Sequence, residues 1–210
     1  MTMAQVGAAR ALVFDFDGTL VDSNAIKWRA FDECFAGFPG RQAEIRAYCR
    51  ANNHTTRYEK FRWVYEKILA LPYGPRIEQE LGRIFEENST RQIIQTPAIP
   101  GAEEFLRSRR GKQILGLLSS TPRPILLEIL SRRGWEGYFD IIQGAPVNKA
   151  EFLRSFSAER GFRPAEAVFF GDTLEDASAA DQAGWRFVAV RPQHEKLRQG
   201  IWLNDFTGLP

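Results

Sequence analysis

The stretch "LVFDFDGTLVDS", which runs from Leu12 to Ser23, decides the fold of this chain. An apolar run leads directly into two aspartates, Asp15 and Asp17, and Gly18 and Thr19 follow at once. Burying carboxylates at the end of a strand is costly unless a metal, a cation or a proton compensates their charge. The stretch therefore predicts a buried strand whose carboxyl end carries a cation-binding site.

Composition limits the class of protein. The chain has 210 residues, of which 44% are hydrophobic and 26% charged, with a formal net charge of +2. These values are typical of a soluble globular protein with one substantial core and room for a smaller unit. No apolar stretch reaches the roughly 18 residues that cross a bilayer, and "MTMAQVGAAR" lacks the apolar centre of a signal peptide. We expect a cytoplasmic protein, a monomer or weak homodimer, without nucleic-acid or membrane partners.

The sequence lacks the residues that several common kinds of active site require. Cys34 and Cys49 provide neither a disulfide framework nor a metal-ligand spacing, and His54 and His194 are the two histidines. The nucleophile elbow GxSxG, the P-loop and the dinucleotide motif GxGxxG do not occur. Any chemistry is therefore expected to use carboxylates.

Short continuous apolar runs alternate with segments of helical spacing, several of which end at glycine. This pattern indicates an α/β fold, a doubly wound parallel sheet covered on both faces. The predicted strands are Ala11–Phe16, Ile114–Ser119, Tyr138–Gln143, Ala167–Asp172 and Phe187–Val190, and the predicted helices are Ala102–Arg110, Pro124–Arg133, Ala150–Arg160 and Leu174–Ala183.

The segment between the first two strands has a different pattern. Aromatic and charged residues recur there at helical intervals, as in "YEKFRWVYEKIL", no strand run occurs, and the segment ends in the proline-rich "TPAIPG". We predict an all-helical cap domain, residues 21–96, inserted into a core domain formed by residues 1–20 and 97–210.

Polar residues that suit catalysis follow four of the predicted strands. They are Asp15 and Asp17 after the first, Ser119 and Ser120 at the end of the second, Lys149 shortly after the third, and Asp172 and Asp176 after the fourth. Ligands of open α/β sheets bind outside the carboxyl ends of the strands. We therefore expect these side chains to form one site.

Each residue type has a role in phosphoryl transfer. Clustered aspartates need a shared cation, and oxygen ligands with a substrate phosphate suit Mg²⁺. Asp15 is the candidate nucleophile that forms an aspartyl-phosphate, and Asp17 the candidate general acid and later base. Lys149, a serine hydroxyl and backbone N–H groups around Asp17 and Gly18 are candidates to hold the phosphate oxygens. Gly18, Thr19 and Ser120 are the candidate phosphate-binding residues.

The residues that carry these roles also resemble a known family. "DFDGTLVDS", "LLSSTP", Lys149 and "GDTLEDASAADQAG" are similar to the four motifs of the haloacid dehalogenase-like hydrolase superfamily, in order along the whole chain. The helical insertion resembles the C1-type cap of that superfamily, which points to its phosphoglycolate phosphatase-like members.

The resemblance implies roles for individual residues. Asp15 corresponds to the nucleophile, Asp17 to the acid and base, Ser119 to the hydroxyl of the second motif and Lys149 to the residue that orients the phosphate. The Asp15 carboxylate, the Asp17 carbonyl and Asp172 correspond to magnesium ligands, and Asp176 to a ligand or a partner of one. In "SST" many relatives carry Thr-Asn, so Ser119 is preferred over Ser120 only because it directly ends the apolar run.

The favoured function is magnesium-dependent hydrolysis of a small phosphorylated metabolite. A phosphomutase of the same fold is the alternative among enzymes. A phosphoacceptor signalling domain, which shares the aspartate, hydroxyl, lysine and magnesium, is the alternative from another class. Asp17 and the long insertion have no use in such a signalling domain.

The cap segment "NNHTTRYEKFR", residues 52–62, contains candidate substrate-binding residues. His54, Arg57 and Lys60 could bind the distal anionic or hydroxylated part of the substrate, with Arg57 the strongest candidate. The alternative is a solvated helix start with Thr55 or Thr56 as its N-cap.

Overall fold

The structure is a computed structural model that describes residues 6–52 and 55–209. Contacts divide the chain into two compact units. Met1–Asp22 and Thr96–Pro210 form the sheet unit, and Ser23–Gln95 forms the helical unit. His54, a predicted substrate-binding residue, lies outside the described residues.

The sheet unit is built on six strands. They are β1 (Ala11–Phe14), β2 (Ile114–Pro122), β3 (Ile141–Ala145), β4 (Ala167–Gly171), β5 (Arg186–Val190) and β6 (Trp202–Leu203). The strand order is β3-β2-β1-β4-β5-β6, and every neighbouring pair is parallel. All residues of β1 and β4 are buried, as expected for strands covered on both faces. The predicted doubly wound parallel sheet is confirmed.

The helical unit contains no named strand among its described residues. Its helices are α1 (Asn24–Cys34), α2 (Gln42–Ala51), α3 (Arg57–Trp63), which continues as a π-helical turn over Val64–Ile68, and α4 (Pro75–Gln95). Aromatic rings form much of its core: Phe31 lies 4.9 Å from Phe85 and 5.6 Å from Phe61, between ring centroids. Edge-on contacts of this kind stabilise beyond the area they bury.

Helices cover both faces of the sheet. They are α5 (Ala102–Arg109), α6 (Arg123–Arg133), α7 (Lys149–Arg160), α8 (Leu174–Ala183) and the short α9 (Glu195–Arg198). Left-handed glycines, Gly134, Gly161 and Gly184, end three of them, which is the conformation that glycine adopts without a Cβ clash. Among the described helices, none combines the length and the apolar character needed to cross a membrane.

The largest differences from the predicted strand bounds are in β3 and β2, while the bounds of β1, β4 and β5 differ by one or two residues. β3 begins at Ile141 rather than Tyr138, because Glu136–Tyr138 forms a 3-10 helix and the Asp140 carboxylate accepts the N–H of Leu115 at 2.8 Å. β2 continues to Pro122 instead of ending at Ser119. The second difference changes the site, because it keeps residues 119–121 in extended alternation.

Candidate active site

Asp15 is held at the carboxyl end of β1 by the sheet itself. Its N–H donates to the carbonyl of Phe170 in β4 at 2.8 Å, so the backbone pairing continues one residue beyond the strand. The Phe14 and Phe170 rings stack with centroids 4.8 Å apart. Only 6% of Asp15 is exposed. The strand therefore delivers a buried carboxylate in a fixed position.

Lys149 links two of the buried carboxylates. It is the first residue of α7, whose N-cap Asn148 accepts the N–H of Glu151. Its Nζ donates to Asp15 Oδ1 at 2.9 Å and to Asp176 Oδ1 at 2.6 Å. Charge-assisted hydrogen bonds of this length are strong, and they compensate part of the desolvation of all three groups.

The electrostatics of this cluster follow from its burial. Burial raises the pKa of the Asp15 carboxyl above its usual range, Lys149 opposes that shift, and the carboxylates of Asp176 and Asp17 add to it. Burial by itself would lower the pKa of Lys149, but Asp15 and Asp176 raise it above its ordinary value. The Lys149 ammonium thus faces more than one carboxylate, and this excess of negative charge favours the binding of a second cation beside it.

Asp176 is fixed by the start of α8. Its Oδ2 accepts hydrogen bonds from the N–H and the hydroxyl of Thr173, and its own N–H donates to the Thr173 hydroxyl, which makes a capping box. A Cβ on Gly171 would lie 2.5 Å from the Cβ of Asp176, so only glycine fits where β4 meets this helix. Asp176 is completely buried.

Three carboxylates form a group that could hold a metal ion. One oxygen each of Asp15, Asp172 and Asp176 lie within 4.8 Å of one another, and all three residues are buried. Such a donor set consists only of hard oxygens, so it fits a hard divalent cation. The Asp17 carboxylate is not part of this group.

Asp17 is instead held by the end of β2. Thr121 donates its hydroxyl to Asp17 Oδ2 at 2.8 Å, and the Thr121 N–H donates to Ser119 Oγ at 3.1 Å. Ser119 and Thr121 are buried, whereas Ser120, which points to the other face of the strand, is exposed. The sequence analysis missed Thr121, although extending the strand by three residues would have put it on the face of Ser119.

The turn after Asp17 is tight. Gly18 has φ +79° and donates its N–H to the carbonyl of Val21 at 2.8 Å. In this structure that N–H is used within the turn rather than for a phosphate oxygen. Thr19, the other predicted phosphate-binding residue of the turn, is completely buried.

Arg57 lies in the helical unit and is not a solvated residue. Thr56 is the N-cap of α3 and forms a capping box with Glu59. The Arg57 side chain is 9% exposed, pairs with Glu86 at 3.4 Å and lies over the Phe85 ring at 4.6 Å. Lys60 is 4% exposed. The alternative is therefore confirmed in its N-cap, Thr56, but wrong in describing Arg57 and Lys60 as solvated. The role of both cations in substrate binding stays a prediction.

Comparison with known proteins bears on the family. A phosphoglycolate phosphatase of Synechococcus elongatus is 29% identical over 192 residues, which cover 86% of this chain and 83% of that protein. CbbY of Rhodobacter sphaeroides, solved in complex with phosphate, has a TM-score of 0.75 at 23% identity over 96% of both chains. β-Phosphoglucomutase of Clostridium difficile has the same TM-score at 17% identity, covering 96% of this chain and 93% of that one.

At 23% and 17% sequence identity, the two solved structures support the fold of this chain and not its function. The family model for haloacid dehalogenase-like hydrolases matches residues 9–184, a stretch that includes every carboxylate of the cluster and Lys149. The resemblance seen in the sequence motifs is confirmed, and this chain belongs to the haloacid dehalogenase-like hydrolase family.

Proposed function

We propose that this protein is a magnesium-dependent phosphatase that hydrolyses a phosphate monoester of a small metabolite through an aspartyl-phosphate. The observation that carries the proposal is the buried cluster in which Lys149 bridges Asp15 and Asp176 while Thr121 holds Asp17. A nucleophile, an acid and a phosphate-binding cation thereby converge at one edge of the sheet.

In the first half-reaction, Asp15 attacks phosphorus and the bond to the leaving-group oxygen breaks. Lys149 holds Asp15 in place and offers its ammonium to the phosphate oxygens. Asp17 gives its proton to the departing alkoxide. A Mg²⁺ ion bound by Asp15, Asp172, the carbonyl of Asp17 and, directly or through a partner, Asp176 would neutralise charge on the transferring group.

In the second half-reaction, water attacks the aspartyl-phosphate. Asp17, now a carboxylate, takes the proton from this water, phosphate leaves, and Asp15 is regenerated. The Thr121 hydroxyl donates to Oδ2 of Asp17 and so fixes the orientation of the carboxyl group that transfers the proton. Thr121 is thus a positioning residue for both steps.

The substrate class is suggested by two features. Relatives of this chain are named phosphoglycolate phosphatases, which points to a phosphorylated carboxylic acid. Arg57, anchored by Phe85 and Glu86, offers a fixed guanidinium for the distal carboxylate or a second phosphate. Such an anion would have to compete with Glu86 for the guanidinium.

The test is phosphate release from phosphoglycolate, glucose 1-phosphate and p-nitrophenyl phosphate, each with Mg²⁺ and with EDTA. We expect magnesium-dependent release, fastest from phosphoglycolate. An Asp15→Asn variant should be inactive, whereas Asp181→Asn, which changes an exposed aspartate on α8, should have wild-type activity. Phosphate release by Asp15→Asn at the wild-type rate would disprove the mechanism.

Two further measurements on the same reactions, the amount of glucose 6-phosphate formed and the lifetime of the aspartyl-phosphate, separate the alternatives. A phosphomutase would convert β-glucose 1-phosphate to glucose 6-phosphate faster than it releases phosphate. A phosphoacceptor domain would accumulate a long-lived aspartyl-phosphate with little turnover. Either result would replace the phosphatase assignment.

A further inference from the structure

A cavity of about 620 Å³ lies at the amino-terminal edge of the sheet unit. Arg10, which precedes β1, Ile114, which begins β2, and Asp140, which precedes β3, all line it. Because the strands are parallel, this edge is opposite to the one that carries Asp15. Five residue steps separate Arg10 from Asp15, a distance of about 16 Å along an extended strand. The cavity is therefore distinct from the candidate active site.

The lining of this cavity is positively charged. Arg10, Arg109 and Lys112 line it together with one carboxylate, Asp140, which already accepts the N–H of Leu115. Within residues 6–52 and 55–209, none of the three cations forms an ion pair.

The cations are presented by a well-defined turn. Gly111 has φ +74°, a conformation that favours glycine, and it lets the chain reverse between α5 and β2. The N–H groups of Lys112 and Gln113 then donate to the carbonyl of Arg109 at 3.0 and 3.2 Å. The Arg109 guanidinium lies over the Phe105 ring at 5.1 Å. The cavity wall is thus held by hydrogen bonds and ring packing.

Two buried polar atoms in this wall have no hydrogen-bond partner in the described structure. One is the donor Nε of Arg109, and the other is the acceptor Oε1 of Gln113. The amide nitrogen of Gln113 is already used, since it donates to the carbonyls of Val6 and Ala9 at 3.0 and 2.6 Å. Both atoms are covered in this structure, so a ligand reaches them only when the two side chains turn towards the cavity. Buried polar groups are rarely left unsatisfied, so a ligand that offers both an acceptor and a donor would favour that turn.

We propose that this cavity binds a small hydroxylated polyanion with two or more carboxylate or phosphate groups. The anionic groups contact Arg10, Arg109 and Lys112, and a hydroxyl donates to Oε1 of Gln113. The volume lies in the range of small-molecule sites. Three cations are few for nucleic acid, which contacts proteins through many phosphates.

Citrate provides a direct probe, because it has three carboxylates and one hydroxyl. Titration of ¹⁵N-labelled protein, without metal and at constant ionic strength, should give saturable shifts of the amides of Gly111, Lys112 and Gln113. A parallel titration of Asp15→Asn with fructose 1,6-bisphosphate tests whether the cavity binds phosphate groups. This variant does not turn the probe over, and amide shifts at this edge are resolved from those at the active site. If the shifts saturate with only one of the two probes, the groups of that probe, carboxylates or phosphates, are the ones that the cavity binds.

Variants decide whether the assigned residues bind the anion. Arg109→Gln and Lys112→Gln should each weaken citrate binding about tenfold or more, the effect of losing one charge-assisted hydrogen bond. The control Arg154→Gln, an exposed arginine on α7, should bind citrate like the wild type. Lys112→Gln keeps the test valid if Arg109→Gln fails to fold, because Lys112 is exposed.

Tricarballylate, which is citrate without the hydroxyl, tests the role of Gln113. It should bind more weakly than citrate to the wild type, and the two should bind alike to Gln113→Leu. Shifts that rise linearly throughout both titrations, or equal affinity in Arg109→Gln, Lys112→Gln and the wild type, would overturn the proposal.

Discussion

Two buried lysines, one in each unit, have different kinds of neighbour. Lys149 in the sheet unit donates to two carboxylates at 2.9 and 2.6 Å, and its Nζ also lies 5.8 Å from the Phe169 ring. In the helical unit, the Nζ of Lys60 lies 5.3 Å from the Phe31 ring and 5.7 Å from the Trp28 ring. Carboxylates fix the position of a cation and change its pKa, whereas ring faces attract it over a broader range of positions. The two carboxylates therefore hold the Lys149 ammonium in one position beside Asp15.

The largest expected effect tests the chemistry at the sheet edge. Asp17→Asn should lower kcat by about 10²–10⁴-fold, because the variant loses general acid–base catalysis. The fold should persist, since an amide oxygen can still accept the Thr121 hydroxyl. Steady-state assays with aryl and alkyl phosphates provide the measurement. The loss in the phosphorylation step should be smaller for aryl phosphates, which have good leaving groups, and equal losses would mean that Asp17 is not the acid.

The next effect concerns the balance of charge around Lys149. In metal-free buffer, Lys149→Met should lower the free energy of unfolding by about 3–5 kcal/mol at pH 8, because it leaves buried carboxylates without their cation. Burial already raises the pKa of Asp15, and losing Lys149 raises it further. The folded variant then binds more protons than the unfolded chain above about pH 4, so its stability falls as pH rises.

Urea unfolding at pH 5 and pH 8 in EDTA measures this effect. The deficit of Lys149→Met should be smaller at pH 5, and Lys196→Met, at an exposed position on α9, should differ little from the wild type at either pH. A deficit that grows on acidification would contradict the assigned charge balance.

Arg57 tests whether the helical unit contributes to specificity. Arg57→Ala should lower kcat/KM for a substrate with a distal anion by about 2–4 kcal/mol of transition-state binding. Hydrolysis of p-nitrophenyl phosphate, which has no distal anion, should change little. Both activities are measured on the same variant. Equal losses on the two substrates would assign Arg57 to packing against Phe85, where its side chain lies in this structure.

Thr121 tests how precisely Asp17 must be held. Thr121→Val should lower kcat by about 1.5–3 kcal/mol of activation free energy, the value of a hydrogen bond to a charged group. Thr121→Ser, which restores a hydroxyl, should recover most of the rate. Thr121→Ser distinguishes positioning from packing, because it restores the hydroxyl without the methyl group, and the pH–rate profiles of both variants are compared with that of the wild type. An unshifted profile in Thr121→Val, together with no recovery of the rate in Thr121→Ser, would leave Thr121 with a packing role.

The smallest effect returns to Lys60. Lys60→Met should change the free energy of unfolding by about 0.5–2 kcal/mol, the size of a cation–π contact, with little dependence on pH between 5 and 8. Denaturant unfolding beside Lys149→Met gives the comparison. A loss as large as that of Lys149→Met, with the same pH dependence, would show that Lys60 also compensates buried carboxylates and would remove the contrast between the two units.

The sequence by itself determined the parallel sheet and the positions of its charged ends. Apolar runs that stop at aspartates are local patterns that predict strands and their charged ends. A glycine after a helical segment predicts where the helix ends, and α8 begins and ends at the predicted residues. The convergence of Lys149 and Asp15 on one site was predicted from the rule that carboxyl ends of parallel strands meet at one edge, whereas the hydrogen bonds of Lys149 to Asp15 and Asp176 were not predicted. The same reasoning applies to Asp172 and Asp176, which the structure brings within reach of Asp15.

Only the tertiary structure decided which hydroxyls serve the site. Ser119 and Ser120 are equivalent in the sequence, but they lie on alternate faces of β2, and in the folded protein one face is buried and the other exposed. Thr121 contacts Asp17 across 104 residues of chain, and Arg10 shares a cavity with Arg109, which lies 99 positions further along the sequence. Local patterns fix which face a side chain takes, but partners this far apart are set by strand order and register, which depend on the packing of the whole sheet.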